Sequence, residues 1–534
     1  MKGKKFWVLA GWVVVIALSL WIRVEGARLS YPAQGDASHF VQHGVSWAVT
    51  GKPVSGYWSL GPQYLAGWAY SRGWDPSLTL QWTTVGFGVL VVMGTMALGH
   101  CLSLSAGMML AAGLVVAVNP ALLKSATGGL SETPLMACLL LGYAGLEWSQ
   151  RKKSWMAAGA GGLFFALAMY YRPFEAMVGL GAYGLYTMIL GVTKSRPVHL
   201  GPLVLAGVVF VGGALPFWKI SAELNTLSAS QSKLVNLAYR DDGLNSKAMR
   251  SLYGPEQEQS ALAAEIQRLE EQGAVGYLWA NRGVILRKIP VNILQAVRWI
   301  NQLTFGGAFA MGLMVFLLFT GWMIHAVITR GNPVKLLLPA LYGGLIVAAL
   351  SLSFVHPRWM FQLLPFYALI LGTGAQAWAG SGWWRRVGVA GVVLLFSFKT
   401  GVLALEQRND RWVERNVIEV GQWLRDQLAE GDRIMGFGPE LAVQAQPDRP
   451  WDYIEMPFGE VHDVDAYAGK RGVTWVVLST RNHAHYPVHE VYRNPEVKPV
   501  RWTLVRETTL TQATRWGQET ETFYIYRLDA GTEE

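Results

Sequence analysis

The feature that most limits the fold of this chain is a succession of long apolar runs in its first 405 residues. A helix needs about twenty apolar residues to cross the hydrocarbon core of a bilayer, where no water can bond an open backbone. We predict about eleven membrane-spanning helices, at residues 6–22, 80–99, 104–122, 133–148, 156–171, 175–193, 199–219, 303–327, 335–354, 359–379 and 387–405. The runs therefore predict a polytopic α-helical membrane protein.

Composition agrees with lipid as the main surroundings of these helices. Only 15% of the residues are charged and the mean hydropathy is +0.25, whereas about a quarter of the residues of an average soluble protein are charged. The 24 tryptophans fit the same interpretation, because indole rings favour the boundary between membrane and water.

The connections between the runs predict the orientation of the chain. If the N-terminus is cytoplasmic, the connections that face inward hold nearly all the basic residues of the short loops: Arg151, Lys152, Lys153, Lys194, Arg196, Arg330, Lys335, Arg385 and Arg386. Cytoplasmic loops are enriched in these residues. We therefore expect a multi-pass protein of the plasma (inner) membrane, with its first run retained as an anchor. An odd number of crossings then places residues 406–534 outside the cytoplasm.

The basic excess of the chain is confined to the membrane-spanning part. Residues 1–405 contain 30 basic and 14 acidic residues, whereas residues 406–534 contain 15 basic and 22 acidic residues. Basic residues beside membrane-spanning runs orient a chain in the bilayer, so we expect no nucleic-acid partner. We expect two domains, a membrane domain at 1–405 and an extracytoplasmic domain at 406–534.

Segments 23–79 and 220–302 of the membrane domain are too long to be simple outer turns. In the first, apolar residues at helical spacing predict an amphipathic helix on the membrane surface; they lie at positions 37, 40, 41, 45 and 48. The second segment predicts helices at 261–272 and 276–294. The C-terminal domain predicts a small α/β fold, with a helix at 412–428 and strands at 433–437, 473–479 and 523–528.

Two carboxylates at the expected outer boundary are candidate general bases. Asp36 follows the first run, and Glu132 lies directly before the fourth. A carboxylate can take a proton from an attacking hydroxyl. Alternatively, Asp36 caps the surface helix, while Ser131, Glu132 and Pro134 only form a favourable helix start. The residues alone leave both interpretations open.

Arg172 and Arg358 lie at the same boundary, against the usual distribution of basic residues. A guanidinium group binds phosphate oxygens in pairs, so both are candidates for a lipid-borne phosphate; the alternative is that they only reach the interface with their charged ends. Arg287 and Lys288 are two further candidates, which would add positive charge at the mouth of a cavity shared with Arg172 and Arg358. The alternative is that they belong to a solvated helix face.

Three histidines complete the candidate site. His39 and His43 share a helical face with Asp36, a spacing that suits a divalent metal. Interfacial histidines more often only bond to neighbours or water, so we favour neither a metal nor another cofactor. His356, beside Arg358, is a further candidate contact for substrate or metal.

The order of these motifs resembles that of the polytopic glycosyltransferases of the GT-C fold. Within them it is most similar to the dolichyl-phosphate-mannose protein mannosyltransferases and the bacterial aminoarabinose transferases of lipid A. The resemblance covers essentially the whole chain, including the C-terminal α/β domain. Its motifs are Gly35-Asp36, Ser131-Glu132-Thr133-Pro134, Tyr171-Arg172-Pro173, and His356-Pro357-Arg358-Trp359 before a helix containing Pro365. Many members have Glu directly after the loop Asp, whereas Ala37 follows here.

The resemblance implies transfer of a sugar from a polyprenyl-phosphate carrier to an extracytoplasmic protein, glycolipid or polysaccharide, with inversion. Asp36 would be the base, with Glu132 as a second candidate. Arg172, Arg358, and Arg287 or Lys288 would bind the donor phosphate. A sugar phosphate already has a good leaving group, so the enzyme needs only to activate the hydroxyl and stabilise the phosphate. Membrane lipid is the other expected partner.

Other functions remain open from the sequence. A transporter or lipid flippase also has many helices, but such proteins often show related halves and charged residues at mid-helix. A polysaccharide polymerase or ligase would differ mainly in its donor. A receptor or scaffold with a sensing domain is the remaining possibility.

Overall fold

The computed structural model describes residues 2–28, 36–53, 59–224, 268–269, 271–273, 275–305, 313–352, 356–380, 382–406, 415–457, 459–481, 487–514 and 517–529. A helical bundle forms the part up to residue 406, and a five-stranded sheet lies in residues 415–529, hereafter the C-terminal unit.

The described helices of the bundle follow the apolar runs closely. They are α1 (Lys2–Arg28), α2 (Asp36–Thr50), α3 (Leu60–Ser71), α4 (Pro76–Cys101), α5 (Ala106–Ala117), α6 (Pro120–Thr127), α7 (Glu132–Lys152), α8 (Trp155–Tyr171), α9 (Pro173–Val192), α10 (Leu200–Glu223), α11 (Arg282–Phe305), α12 (Leu313–Arg330), α13 (Val334–Ser351), α14 (Leu364–Ala379) and α15 (Trp383–Glu406).

Helix α7 lies at the centre of the bundle. Its residues 135–140 are buried all round, because the segment is apolar on every face and packs between α4 and α8. Both of its ends carry a buried carboxylate, Glu132 and Glu147. Nη1 of Arg196 donates to Oε2 of Glu147 at 2.7 Å, so an ion pair fixes the C-terminal end of α7 to the segment after α9.

Within the described ranges, five helices are long and apolar enough to cross a membrane: Phe6–Arg28, Pro76–Cys101, Pro173–Val192, Leu200–Glu223 and Val334–Ser351. A sixth crossing results if α5 and α6 form one broken span, bent by 57°. The chain is therefore an integral membrane protein, as predicted. The total of eleven helices, the orientation of the termini and the division into two domains stay predictions.

Three predicted runs differ in detail from the structure. Run 104–122 breaks because Asn119 leaves the helical conformation (φ −68°, ψ 123°) before Pro120, which begins α6. Run 359–379 starts as the 3₁₀ turn Pro357–Leu363, and its α-helix begins only at Leu364. Run 303–327 covers the end of α11 and most of α12, and residues 306–312 between them lie outside the described residues.

Helix α2 confirms the predicted helix in the first outer segment. Four residues of its predicted apolar face are buried, namely Ala37, Phe40, Val41 and Val45. They pack against residues of α3 and α4 and against Val443 of the C-terminal unit, whereas Ala48 is exposed. Protein and not lipid therefore covers this face, while the position of α2 at the membrane surface stays a prediction. Helix α3, in the same segment, was not predicted.

In the second outer segment, the predicted helix at 276–294 is confirmed. Residues 275–280 are helical, a turn follows at Asn281, and α11 begins at Arg282. Two apolar residues of this segment, Trp279 and Leu286, are exposed. The predicted helix at 261–272 lies mostly outside the described residues.

The C-terminal unit contains a mixed sheet in the order β2-β1-β3-β5-β4. Its strands are β1 (Ile434–Gly436), β2 (Ile454–Glu455), β3 (Trp475–Ser479), β4 (Trp502–Thr514) and β5 (Gly517–Leu528), and its helices are α16 (Arg415–Arg425), α17 (Pro439–Ala445), α18 (Val461–Lys470) and α19 (Glu490–Arg493). Strand β1 pairs in parallel with β2 and β3, and β5 pairs antiparallel with β3 and β4. The three predicted strands are present.

The sequence missed β2 and β4 and predicted the end of α16 at residue 428, whereas the helix ends at Arg425. Strand β4 is rich in threonine and lies at the edge of the sheet, so it lacks a continuous apolar signal. Val420 and Leu424 of α16 are buried beneath the sheet, and Val417 is partly buried.

Candidate active site

Arg172 stands between α8 and α9 because of the proline that follows it. Pro173 disfavours the α conformation in the preceding residue, and Arg172 is extended (φ −153°, ψ 89°). Its Nη2 donates to Oε1 of Glu132 at 2.6 Å, and its Nη1 donates to Oε1 of Glu175 at 2.6 Å. The guanidinium group of Arg172 therefore joins the first turns of α7 and α9.

A second proline dipeptide places Arg358. His356 is extended (φ −102°, ψ 139°) before Pro357, which begins the 3₁₀ turn Pro357–Leu363. Nδ1 of His356 accepts a hydrogen bond from the backbone N–H of Arg358 at 3.3 Å. His356 therefore caps the turn that carries Arg358. The extended conformation that precedes Pro357 suits this local role.

Arg358 connects the two candidate bases. Its Nε donates to Oε1 of Glu132 at 2.7 Å, and its Nη2 donates to Oδ2 of Asp36 at 2.6 Å. The Glu132 side chain is only 3% exposed, whereas that of Asp36 is 32% exposed. The predicted proximity of Asp36, Glu132, Arg172 and Arg358 is thus present, and Asp36 lies at the accessible end of the network.

The network holds one more negative charge than positive. With all groups ionised, the two guanidinium groups face three carboxylates, a net charge of 2 − 3 = −1; the carboxylates belong to Asp36, Glu132 and Glu175. Oε1 of Glu132 accepts from both arginines, while its buried Oε2 has no hydrogen-bond partner among the described residues. An anion that binds Arg358 through Nε or Nη2 therefore competes with a carboxylate for that nitrogen.

The position of Asp36 bears on the alternative that it only caps a helix. Asp36 lies in the first turn of α2, where its charge complements the helix dipole. Its carboxylate also receives a bond from Arg358, 322 residues further along the chain. Asp36 therefore takes part in a tertiary ion pair in addition to any local effect on α2.

Two members of the network were not predicted. Ser131 precedes α7, but its side chain makes no cap bond to the described backbone of that helix; its Oγ accepts from Nε of Arg172 at 3.4 Å instead. Glu175 is buried in the first turn of α9. The signal for Glu175 was available, because an acidic residue three positions after Arg172, across a proline helix start, is within reach of its guanidinium group.

His39 and His43 stack on one face of α2, with ring centroids 6.3 Å apart. Burial lowers the pKa of His39 to about 4, and Asp36 opposes this only in part. Burial and the neighbouring His39 lower the pKa of His43 to about 4. Both rings are therefore neutral near pH 7. Among the described residues, no group of three or more His, Cys, Asp or Glu side chains is placed to hold a metal ion.

The structure separates Arg287 from Lys288. The side chain of Arg287 is exposed, whereas Lys288 is buried at 5% exposure. One turn after Lys288, Asn292 donates to the carbonyl oxygen of Ser351 at 2.9 Å, and α11 packs against the turn that carries Arg358. Lys288 is therefore the better candidate of the two for a role near Arg358.

The bundle, the buried ion-pair network and the C-terminal sheet form an integral membrane protein whose fold is shared with solved GT-C glycosyltransferases, as the sequence motifs predicted. No protein-family model matches the sequence, and no curated protein matches it by sequence.

Solved structures match along nearly the whole chain. ArnT from Cupriavidus metallidurans in the apo state shares 13% identity at a TM-score of 0.55, covering 98% of each chain. The same protein bound to undecaprenyl phosphate shares 11% identity at a TM-score of 0.53, covering 96% of this chain and 97% of that one. The apo oligosaccharyltransferase of Archaeoglobus fulgidus shares 11% identity at a TM-score of 0.58. The match covers 99% of this chain and 75% of that one. At these identities, the shared property is the fold.

Proposed function

We propose that this protein is a membrane glycosyltransferase that moves a sugar from a polyprenyl-phosphate carrier to an extracytoplasmic acceptor, with inversion at the anomeric carbon. The observation that carries the proposal is the contact between Arg358 and Asp36. A guanidinium group, which is suited to binding phosphate, and a carboxylate, which can accept a proton, lie within one hydrogen bond of each other at the accessible end of a buried network. The fold shared with glycosyltransferases favours an enzyme over a transporter, flippase or receptor.

The reaction balances with these groups alone. The acceptor hydroxyl oxygen forms a bond to the anomeric carbon while the bond from that carbon to the phosphate oxygen breaks. The electron pair of the broken bond stays on the phosphate, and Asp36 takes the hydroxyl proton. The developing phosphate charge is stabilised by guanidinium groups, which bind two oxygens at once.

Donor binding also frees the base in this proposal. Oδ2 of Asp36 accepts a hydrogen bond from Nη2 of Arg358 at 2.6 Å. A donor phosphate that binds through Nη2 of Arg358 competes with Asp36 for that nitrogen. Asp36 is the partner to be replaced, since its side chain is 32% exposed and that of Glu132 only 3%.

Glu132 and Glu175 act as holding groups in this scheme. Glu132 keeps a bond to each arginine, and Glu175 takes Nη1 of Arg172. Removing one partner of a buried ion pair leaves an uncompensated charge, which is strongly unfavourable. The two glutamates thus keep both guanidinium groups in place while Asp36 changes partner.

The proposal is tested with the purified full-length protein and undecaprenyl-phosphate-linked hexoses and pentoses. We expect release of undecaprenyl phosphate and transfer of labelled sugar to lipid, protein or polysaccharide fractions. Magnetic resonance of the product should show the anomeric configuration inverted relative to the donor. Movement of intact donor lipid across vesicles, without cleavage of the sugar–phosphate bond, would identify a flippase and refute the proposal.

A further inference from the structure

The helix that begins at Asp36 is in direct contact with the C-terminal unit. Nε2 of Gln42 donates to the carbonyl oxygen of Pro450 at 2.8 Å, and this bond is buried although the two residues are 408 positions apart. Helix α2 also packs against α17 and against the 3₁₀ turn Pro450–Asp452. A long-range buried hydrogen bond to a backbone carbonyl fixes the position of α2 relative to this unit.

An apolar cluster strengthens the same contact. Val443 of α17 is 9% exposed and lies among buried residues of α2, α3 and α4, namely Ala37, Phe40, Val41, Val45, Ala66 and Leu80. Val443 is the member of this cluster that comes from the C-terminal unit. Removing part of its side chain would leave a cavity directly beside the first two turns of α2.

On its other side α2 is tightly packed. A Cβ atom added to Gly44 would lie 2.4 Å from the carbonyl oxygen of Gln63, and one added to Gly67 would lie 2.5 Å from that of Gly44. Helices α2 and α3 thus touch backbone to backbone. Helix α2 is held between α3 and the C-terminal unit, and a helix transmits a tilt at one point to its whole length.

We infer that the C-terminal unit positions the candidate base, with Gln42 and Val443 as positioning residues for Asp36. Gln42 is six residues from Asp36, about 9 Å along the helix axis. A tilt that starts at Gln42 therefore shifts the carboxylate relative to Arg358 and the acceptor hydroxyl. The inference rests on the proposed role of Asp36 as the base.

The test uses the full-length protein with Gln42→Glu and Val443→Ala variants. Gln42→Glu keeps the size of the side chain but replaces the donor by an acceptor facing the Pro450 carbonyl oxygen. Misplacement of a reacting group by about 1 Å can cost up to 100-fold in rate, so we expect kcat to fall roughly tenfold while KM for the donor does not rise. The matched control is Val491→Ala, a buried valine in the core of the C-terminal unit outside the α2 contact.

A double-mutant cycle with Asp36→Asn separates positioning from general damage. If Gln42 and Val443 act through Asp36, their substitutions cost roughly tenfold in the wild-type background and almost nothing when Asp36→Asn is already present. Equal losses in both backgrounds, no loss in either, or an equal loss from Val491→Ala would each overturn the inference. Full activity of Asp36→Asn alone would instead remove the proposed base, an outcome distinct from the other three.

Discussion

Replacing Asp36 by asparagine tests the proposed base directly. The amide oxygen that Asp36→Asn introduces can still accept from Nη2 of Arg358, so the substitution removes the proton acceptor while keeping the shape of the contact. General-base catalysis contributes roughly 10²–10⁴-fold. We expect kcat to fall about 100-fold or more, equivalent to at least about 2.7 kcal/mol of barrier.

Donor binding should not weaken in the Asp36→Asn variant. The substitution changes the net charge of the network from −1 to 0, because one of its three carboxylates is lost. Arg358 is then less strongly held and more available to a phosphate, so KM for the donor should fall or stay constant. Protein stability should change little, since a partly exposed ion pair contributes about 0–1 kcal/mol.

The matched control is Asp75→Asn at the start of α4. Asp75 is a helix cap: its Oδ1 accepts from the backbone N–H groups of Ser77 at 2.8 Å and Leu78 at 3.0 Å. Asparagine caps as well as aspartate, so this variant should keep full activity. Initial rates of undecaprenyl phosphate release, with thermal unfolding of each variant, provide the measurement. Transfer by Asp36→Asn within about threefold of wild type, a loss far below the general-base range, would falsify the base assignment and make Glu132 the next candidate.

Four further predictions concern other parts of the molecule. Arg358→Ala should raise KM for the donor at least about tenfold, the cost of one charged hydrogen bond, and lysine should rescue it only in part; a donor titration with wild-type KM would contradict this. Because the folded-state pKa of His39 and His43 is about 4, against about 6.5 unfolded, the unfolded chain binds more protons between these values. The free energy of unfolding should therefore rise from about pH 4 to about pH 6.5 and then level off, and a His39→Gln, His43→Gln double variant should show a shallower slope in thermal unfolding. Gly44→Ala should destabilise the protein by about 1–3 kcal/mol through a clash with Gln63, whereas Gly86→Ala, where the added atom would meet no described neighbour, should leave the unfolding temperature unchanged or higher. A reporter that is active only outside the cytoplasm, fused after Thr532, should be active; activity of a cytoplasmic reporter there would overturn the predicted topology.

The sequence predicted best the features that depend on local chemistry. Apolar runs predicted most of the membrane helices. The extended residue Arg172 and the 3₁₀ turn after His356, which carries Arg358, were not predicted, although a proline ring restricts both itself and the residue before it. The side on which these arginines would lie followed from counting runs. Their meeting at Glu132 could be expected but not located, since it depends on how α7 packs against helices far away in sequence.

The features that the sequence missed depend on tertiary partners. The apolar face of α2 has the same pattern whether lipid or Val443 covers it, so spacing alone assigned it to the membrane surface. Strand β4 lacks a regular alternation of apolar and polar residues, so the strand is recognised only from its pairing with β5. Ser131 was expected to cap α7, but a serine hydroxyl also accepts from a nearby guanidinium group, and Arg172 takes it.

Helix α7 carries an ion pair at each end, Glu132 with Arg172 and Glu147 with Arg196. The two glutamates are fifteen residues apart, about 22 Å along the helix at 1.5 Å per residue. Both arginines come later in the chain, on either side of α9, so α7 and α9 are fastened to each other at both ends. A single residue inserted into the middle of α7 would rotate one end by about 100° relative to the other. The helix could then keep only one of its two glutamates facing its arginine, so one of the two ion pairs would break. The length of α7 is therefore as constrained as the identity of its terminal residues, and natural variation in this helix should occur by substitution and not by insertion or deletion.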